Sequence, residues 1–478
     1  MAYPDTEKPL YYDGSWHEAS SDAEIDVRNP ATEAVIDSVP VASEDDLQAA
    51  LDAAEDARHE WERTPARERG EYLREMAQAL RARSEEIGEI VIDEAGKIAS
   101  AAHGEANRVA DRLEYNAEWD RHIEGDIVQS DTRGQKIDLQ RHPYGVVVGI
   151  TPWNSPVSVF ARKLAPALVA GNTVVMKPSS ETPLSAMRVI EIIDEAVDLP
   201  PGVLNFVVGS GSYLVSADEP DMVTMTGSTA TGKAIMRSAA DNLREVSLEL
   251  GGKAPAIVWK DADINSAVED ILTARISNAG QVCTCAERIY LHSDIRDEFV
   301  DKYVAATEAV TVGSPRDSNV DMGPQINQTE LEETASAVDD AVSQGATVLT
   351  GGGRPDHLTS GYYYQPTVLD AVQQDMDVIQ DEVFGPVSPI VEIETFDEAI
   401  EYANDSRYGL SSYVFTEDYE IAMEAARRIE FGEVFINRTL GEALQGHHIG
   451  WKESGMGGED GKYGVLKYTQ LKTVYHNW

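Results

Sequence analysis

Two hydrophobic patterns divide the chain. Over residues 44–61 and 66–97, apolar side chains recur at helical spacing, Leu73, Met76, Leu80, Ile87 and Val91 among them, with charged residues between. This predicts two amphipathic helices. From residue 145 the pattern changes to short β-rich runs: "GVVVGI" (145–150), "NTVVMK" (172–177), "NFVVG" and "VTMT" (223–226). The intervening "VFARKLAPALVA", "PLSAMRVIEIIDEAV" and a segment around Leu214 read as helices. Apolar strands alternating with helices predict an α/β fold built on a parallel, doubly wound sheet. Ligands of such sheets bind beyond the carboxyl ends of the strands, which directs attention to "TPWNSP", "KPSSETP" and "TGSTATGK".

After "LELGGKAPAIVW" the pattern restarts with a helix over "INSAVEDILTARISNAG" and a strand at "RIYLH", which reads as a second α/β domain. Residues 125–141 have hairpin character, and the tail "YGVLKYTQLKTVYHNW" alternates like an edge strand. Exposed edges are normally paired or covered, so both segments are expected subunit contacts.

Composition narrows the setting. At 478 residues the chain exceeds what one core usually serves, so more than one domain is expected. Acids outnumber bases 84 to 39, a formal charge of −45, and are spread along the chain rather than gathered in one tail. Such a surface repels itself at ordinary ionic strength, whereas 1 M salt screens charges within about 3 Å. A halophilic cytoplasm is the expected setting, and the charge argues against nucleic-acid or anionic-membrane partners. The first residues lack a basic segment followed by an apolar run, and no apolar stretch approaches a bilayer span, so a cytoplasmic protein is expected.

The cysteines raise the chemical question. Cys283 and Cys285 are the only two, held together in "NAGQVCTCAERIYL". A disulfide across one residue would be strained, and a lone CxC is a poor start for zinc, with His447-His448 a weak complement, so no metal is expected. Two small buried hydrophobes remain an alternative to a nucleophile. A nucleophile needs a base and an oxyanion donor. Glu249, at the end of "SLELGGK" before Gly251-Gly252, is a candidate base, although a strand-end Glu is more often an ion-pair partner. Asn154 in "TPWNSP" offers an amide donor, although such an Asn often only forms a turn.

"TPWNSP", "KPSS", "MTGSTATG", "LELGGK", "NAGQVC" and "EVFGP" occur in this order, and with them the whole chain resembles the NAD(P)-dependent aldehyde dehydrogenases. The resemblance implies a doubly wound cofactor domain (1–122 and 143–250), an α/β catalytic domain (251–462) and a small β oligomerisation element (123–142 and 463–478) of a dimer or tetramer. It implies Cys283 as nucleophile, with Cys285 a bystander, Asn154 and the Cys283 N–H as oxyanion donors, and Glu249 as the base that hydrolyses a thioester. Retention of that base favours hydrolysis over transfer to coenzyme A. For the cofactor, NAD or NADP, it implies Lys177 at the adenosine ribose, Gly227 and Ser228 at the pyrophosphate, Glu382 at the nicotinamide ribose and Phe384 near the ring, with Trp153 lining the same cleft. Ser180 stands where NAD-preferring members often carry Glu, with Glu181 next to it, so NADP is admissible.

The stretch "NRTLGEALQGHHIGW" is similar to its counterpart in lactaldehyde and glycolaldehyde dehydrogenases, which implies Arg162, Glu442 and His448 as contacts for a small hydroxylated aldehyde. His447 leaves that register open by one. The competing reading is a carboxylated semialdehyde, from succinate or 2-oxoglutarate, with Arg162 clamping its carboxylate. A binding protein without turnover is a third class, which both retained reactive residues argue against.

Overall fold

A computed structural model describes residues 3–478. Among these, five parallel strands form the centre of an eight-stranded sheet, in the order Leu204–Phe206, Thr173–Lys177, Val146–Ile150, Met222–Thr226, Glu245–Glu249. The winding direction reverses between Val146–Ile150 and Met222–Thr226, so the chain leaves these two neighbours in opposite directions and opens a crevice at their carboxyl ends. Both sheet faces are covered. Val147 and Val174 pack into one apolar cluster, while Val146, Val148 and Val175 enter another. This two-sided burial is why the strands read as unbroken apolar runs.

A seven-stranded sheet carries the rest of the chain, with Ala286–His292 between Ala254–Val258 and Val387–Ile393, all parallel. The predicted hairpin is present as Asp126–Val128 against Gln135–Pro143, and Thr469–Asn477 adds to it as the other edge of a three-stranded antiparallel sheet. Among the described residues, no helix is long and apolar enough to cross a membrane.

Several expectations are corrected. The first helix is Glu44–Arg63, started by a capping box in which Ser43 and Asp46 satisfy each other's backbone N–H. The helix expected over 66–97 is two, Ala66–Ala82 and Ser84–Ala95, broken at Arg83 (φ −120°, ψ 19°). Neither Gly nor Pro marks the break; the Arg83 guanidinium pairs with Glu86 and Glu195 across it. The helix expected through residue 280 ends at Ile276, because Asn278, Ala279 and Gly280 take left-handed φ values of 49°, 57° and 79°. In the tail, Gly461–Leu466 is helical and the edge strand begins only at Thr469. Near the N-terminus, the unforeseen short strand Leu10–Tyr12 pairs with Leu204–Phe206 through Tyr11 and Phe206.

Candidate active site

A cavity of about 660 Å³ opens at the carboxyl ends of the central strands. Its walls include Trp153, Asn154, Arg162, Gly227, Ser228, Cys283, Glu382, Phe384, Glu442 and His448, ten of the thirteen residues singled out from the sequence. Glu249 stands beside it: its successors Leu250 and Gly251 line the wall. Lys177 and Ser180 lie outside it, Ser180 being exposed.

The left-handed turn of residues 278–280 delivers Cys283. Such backbone is disfavoured for Asn and Ala and persists only where neighbours enforce it. Gln281, fully buried, does so: its Nε2 donates to the Asn278 carbonyl (2.7 Å), while Ile326 N–H donates to its Oε1 (2.8 Å). Asn154 Nδ2 donates to the Gln281 carbonyl (2.9 Å), which ties the first cofactor-side loop to the cysteine turn and leaves the second amide hydrogen free. Cys285 is fully buried, its thiol donating to the Ala274 carbonyl (3.0 Å), and burial pushes it up to about 12. It is inert packing beside a thiol that faces the cavity.

Gly252 sits against the same turn. A Cβ there would stand 2.2 Å from the Cys283 carbonyl oxygen, and one at Gly251 would stand 2.4 Å from Glu382 Oε2. Only glycine lets the end of strand Glu245–Glu249 approach the cysteine this closely.

Burial dominates the electrostatics. It pushes the Glu249 carboxyl up to about 8, opposed by His448, and both carboxyl oxygens are buried without a hydrogen-bond partner among the described residues. Burial also raises the Cys283 thiol, while the His448 imidazole beside it pulls the other way. His448 lies with Nδ1 3.1 Å from Glu433 Oε2 and Nε2 3.9 Å from Glu249 Oε2. Burial alone would discharge this imidazole, but Cys283 and Glu433 raise it well above its ordinary range. His447 instead points its Nδ1 at the Glu459 and Asp460 carbonyls, so of the two histidines His448 faces the cavity.

Arg162 is buried, with 9% of its side chain exposed, so it is no surface arginine. Its Nη2 pairs with Asp460 (2.9 Å), and Glu442 lies 4.0 Å from the guanidinium. Asp460 also pairs with Arg112, and Lys163 pairs with Glu459 (2.6 Å). Arg162 and His448 hold the Glu442 carboxyl below its ordinary range against the effect of burial. Ligand atoms of Glu433, Glu442 and His448 lie within 4.8 Å of one another, a cation-sized grouping whose members already pair with His448 or Arg162.

The other half of the cavity suits a dinucleotide. Ser228 caps the helix Thr229–Asp241, accepting from Thr231 N–H, so that helix presents its N-terminus at the crevice. Gly252 N–H donates to Glu382 Oε1 (2.8 Å), and burial pushes the Glu382 carboxyl up to about 8. Trp153 and Phe384 meet edge to face with centroids 5.4 Å apart. Lys177 is largely buried, which lowers its ammonium's range.

Sequence reasoning missed Arg112, Gln281, Glu433, Glu459 and Asp460, all of which hold the residues it found. The one available signal was "GGEDGK", two acids enclosed by glycines next to the expected edge strand.

The aldehyde dehydrogenase family model matches residues 16–474. Lactaldehyde dehydrogenase of Escherichia coli (strain K12) is 46% identical over 99% of both chains. Its crystal structure superposes with a TM-score of 0.96, covering 98% of this chain and 99% of that one. D-glyceraldehyde dehydrogenase (NADP(+)) of Picrophilus torridus is 43% identical over 98% of this chain and 95% of its own. Betaine aldehyde dehydrogenase of Staphylococcus aureus in complex with NAD+ gives a TM-score of 0.96 at 34% identity, covering 99% and 95% of the two chains. A family match along nearly the whole length, on a fold that gathers the same motifs around one cavity, places the chain in the aldehyde dehydrogenase family.

Proposed function

We propose that this enzyme oxidises a small hydroxylated aldehyde, of the lactaldehyde or glycolaldehyde kind, to its carboxylic acid. The observation that carries the reading is the gathering at one cavity end of Cys283 and Asn154, walled by Arg162, Glu442 and His448, with Glu249 beside them, both of its oxygens unpartnered among the described residues. The named substrates of two relatives, lactaldehyde and D-glyceraldehyde, belong to the same chemical class.

In this reading the Cys283 sulfur attacks the aldehyde carbon, and the free Asn154 N–H with the Cys283 backbone N–H receives the oxyanion. Removing one such donor raises the barrier by about 3–4 kcal/mol. NAD or NADP, when bound, supplies the hydride acceptor. Glu382, Gly227, Ser228, Trp153 and Phe384 are the residues that would hold it, with Lys177 and Ser180 further along. Glu249 then takes a proton from the water that hydrolyses the Cys283 thioester. A base whose range lies near 8 is well matched to that task.

Three features of setting complete the reading. The excess of acid over base suits work in concentrated salt. The three-stranded sheet, with Ile127, Tyr475 and Trp478 exposed at 75%, 63% and 82%, serves as the oligomerisation element. The cytoplasm is its compartment.

The test is a kcat/KM panel in high salt, following reduced cofactor with lactaldehyde, glycolaldehyde, glyceraldehyde and succinate semialdehyde, each with NAD and NADP. A hydroxyaldehyde should lead, and Cys283→Ser should abolish turnover. Preference for the semialdehyde would overturn the substrate assignment.

A further inference from the structure

Two arginines reach the cavity wall from neighbouring helices, Arg112 from Ala99–Ala117 and Arg162 from Ser158–Ala170. Behind them, and not lining the cavity, stands Asp460 at the start of helix Gly461–Leu466. One of its oxygens pairs with Arg162 Nη2 (2.9 Å) and the other with Arg112 Nη1. All three side chains are buried. Glu442 faces Arg162 at 4.0 Å, while Lys163 and Glu459 close on each other at 2.6 Å. Three cations therefore meet three anions around this end of the cavity, with no positive charge left over.

Asp460 occupies this place against its backbone preference. Its φ of 59° and ψ of 166° lie in a region essentially reserved for glycine, and its neighbours Gly457, Gly458 and Gly461 all have positive φ. Glycine would relax the chain here, so the carboxylate must be what the position serves.

We propose that Asp460 determines substrate charge specificity: by holding Arg112 and Arg162 in one two-armed ion pair, it supplies, beside Glu442, the negative charge that leaves neither arginine free to bind a substrate carboxylate. The wall is left suited to uncharged hydroxyl groups. Arg162, which lines the cavity, is the donor available to a hydroxyl, with Glu442 4.0 Å from its Nη2 as acceptor, while its Nε faces Glu459 Oε2 at 3.9 Å. A carboxylated aldehyde has to enter without a counter-charge or break a buried ion pair, which is unfavourable. Asp460 acts through the arginines and is a positioning residue. The proposal rests on the hydroxyaldehyde reading and adds the residue that enforces it.

The test compares kcat/KM for lactaldehyde and for succinate semialdehyde in wild type, Asp460→Asn, Asp460→Gly and Asp460→Glu. Asp460→Gly is included because it relieves the backbone and so protects folding. The Asn and Gly variants should raise the succinate semialdehyde to lactaldehyde ratio at least about tenfold, through a lower KM for the anionic aldehyde with little change in its kcat. Asp460→Glu should keep the wild-type ratio. A folded Asn or Gly variant with the wild-type ratio overturns the role of Asp460 while leaving the hydroxyaldehyde reading intact. A wild-type enzyme that prefers succinate semialdehyde overturns that reading, whatever the variants do. Should neither variant fold, inhibition of wild type by succinate decides: a Ki well above the lactaldehyde KM supports the proposal, and tight competition refutes it.

Discussion

Replacing Gly252 by alanine adds one methyl group and should disable the enzyme. The ideal Cβ would lie 2.2 Å from the Cys283 carbonyl oxygen, whereas an ordinary carbon–oxygen contact lies roughly 1 Å further out. Gly252 does not have a left-handed φ, so the effect is steric and local. The obstacle is backbone on both sides, which cannot swing aside as a side-chain tip can. The peptide after Cys283 therefore has to move by about 1 Å, taking the sulfur and its oxyanion-side N–H with it. A misplacement of that size costs about 100-fold in rate, or about 2.7 kcal/mol of barrier. Steady-state kcat/KM with saturating cofactor is the assay, with circular dichroism and denaturant midpoints to show that the fold is kept. Gly251→Ala is the internal contrast. Its Cβ would meet the Glu382 carboxylate, a side-chain end rather than backbone, at 2.4 Å, so cofactor KM should rise more than kcat falls. A Gly252→Ala enzyme within about threefold of wild type would show that the close approach does not set the nucleophile's position.

Glu249→Gln should keep a burst of reduced cofactor but slow steady-state turnover by about 100- to 10,000-fold. Because Glu249 must be ionised to act and burial raises it to about 8, hydrolysis-limited turnover should climb as pH rises through that region. The variant should lose that limb, and a variant that keeps it excludes Glu249 as the base. Lys163→Met leaves the buried Glu459 with only Arg162 Nε, 3.9 Å away, and should destabilise the fold by up to about 3–5 kcal/mol in denaturant titration. The double change Lys163→Met with Glu459→Leu should recover most of the loss; no recovery would mean that packing, not charge, holds the pair. Raising the salt concentration should lower the cofactor KM, more steeply for NADP than for NAD because of its extra phosphate charge. Parallel salt curves for the two cofactors would rule out the surface field as the cause.

The parallel strands were readable because they are buried on both faces, and runs such as Val146, Val147 and Val148 record that directly. Ten proposed site residues sit in the cavity wall because loops at strand ends converge whatever their separation in the sequence. What escaped prediction depends on partners far along the chain. Arg83 at the helix break pairs with Glu195, and the left-handed turn before Cys283 is held by Gln281 and by Ile326 N–H. Neither leaves a trace in local composition. The charge state of Arg162 was the largest gap. A lone arginine in a substrate tunnel invites a carboxylate, and only the contact with Asp460, almost 300 residues later by sequence number, shows that its charge is already met.

The surface and the cavity differ in charge balance. Over the whole chain acids exceed bases about twofold, 84 to 39. Along the cavity wall, Lys97, Arg108, Arg112 and Arg162 face Asp111, Glu330, Glu333, Glu382 and Glu442, which is close to balance. A uniformly acidic interior would repel a dinucleotide and leave carboxylates unpaired in a low-dielectric site, where each is costly. The excess of acid over base thus lies outside the cavity, largely at positions that water and salt can screen. The encounter between enzyme and cofactor feels the full field, whereas the chemistry takes place among buried groups that salt scarcely reaches. The salt dependence of this enzyme should therefore lie in association with its cofactor rather than in the steps at Cys283.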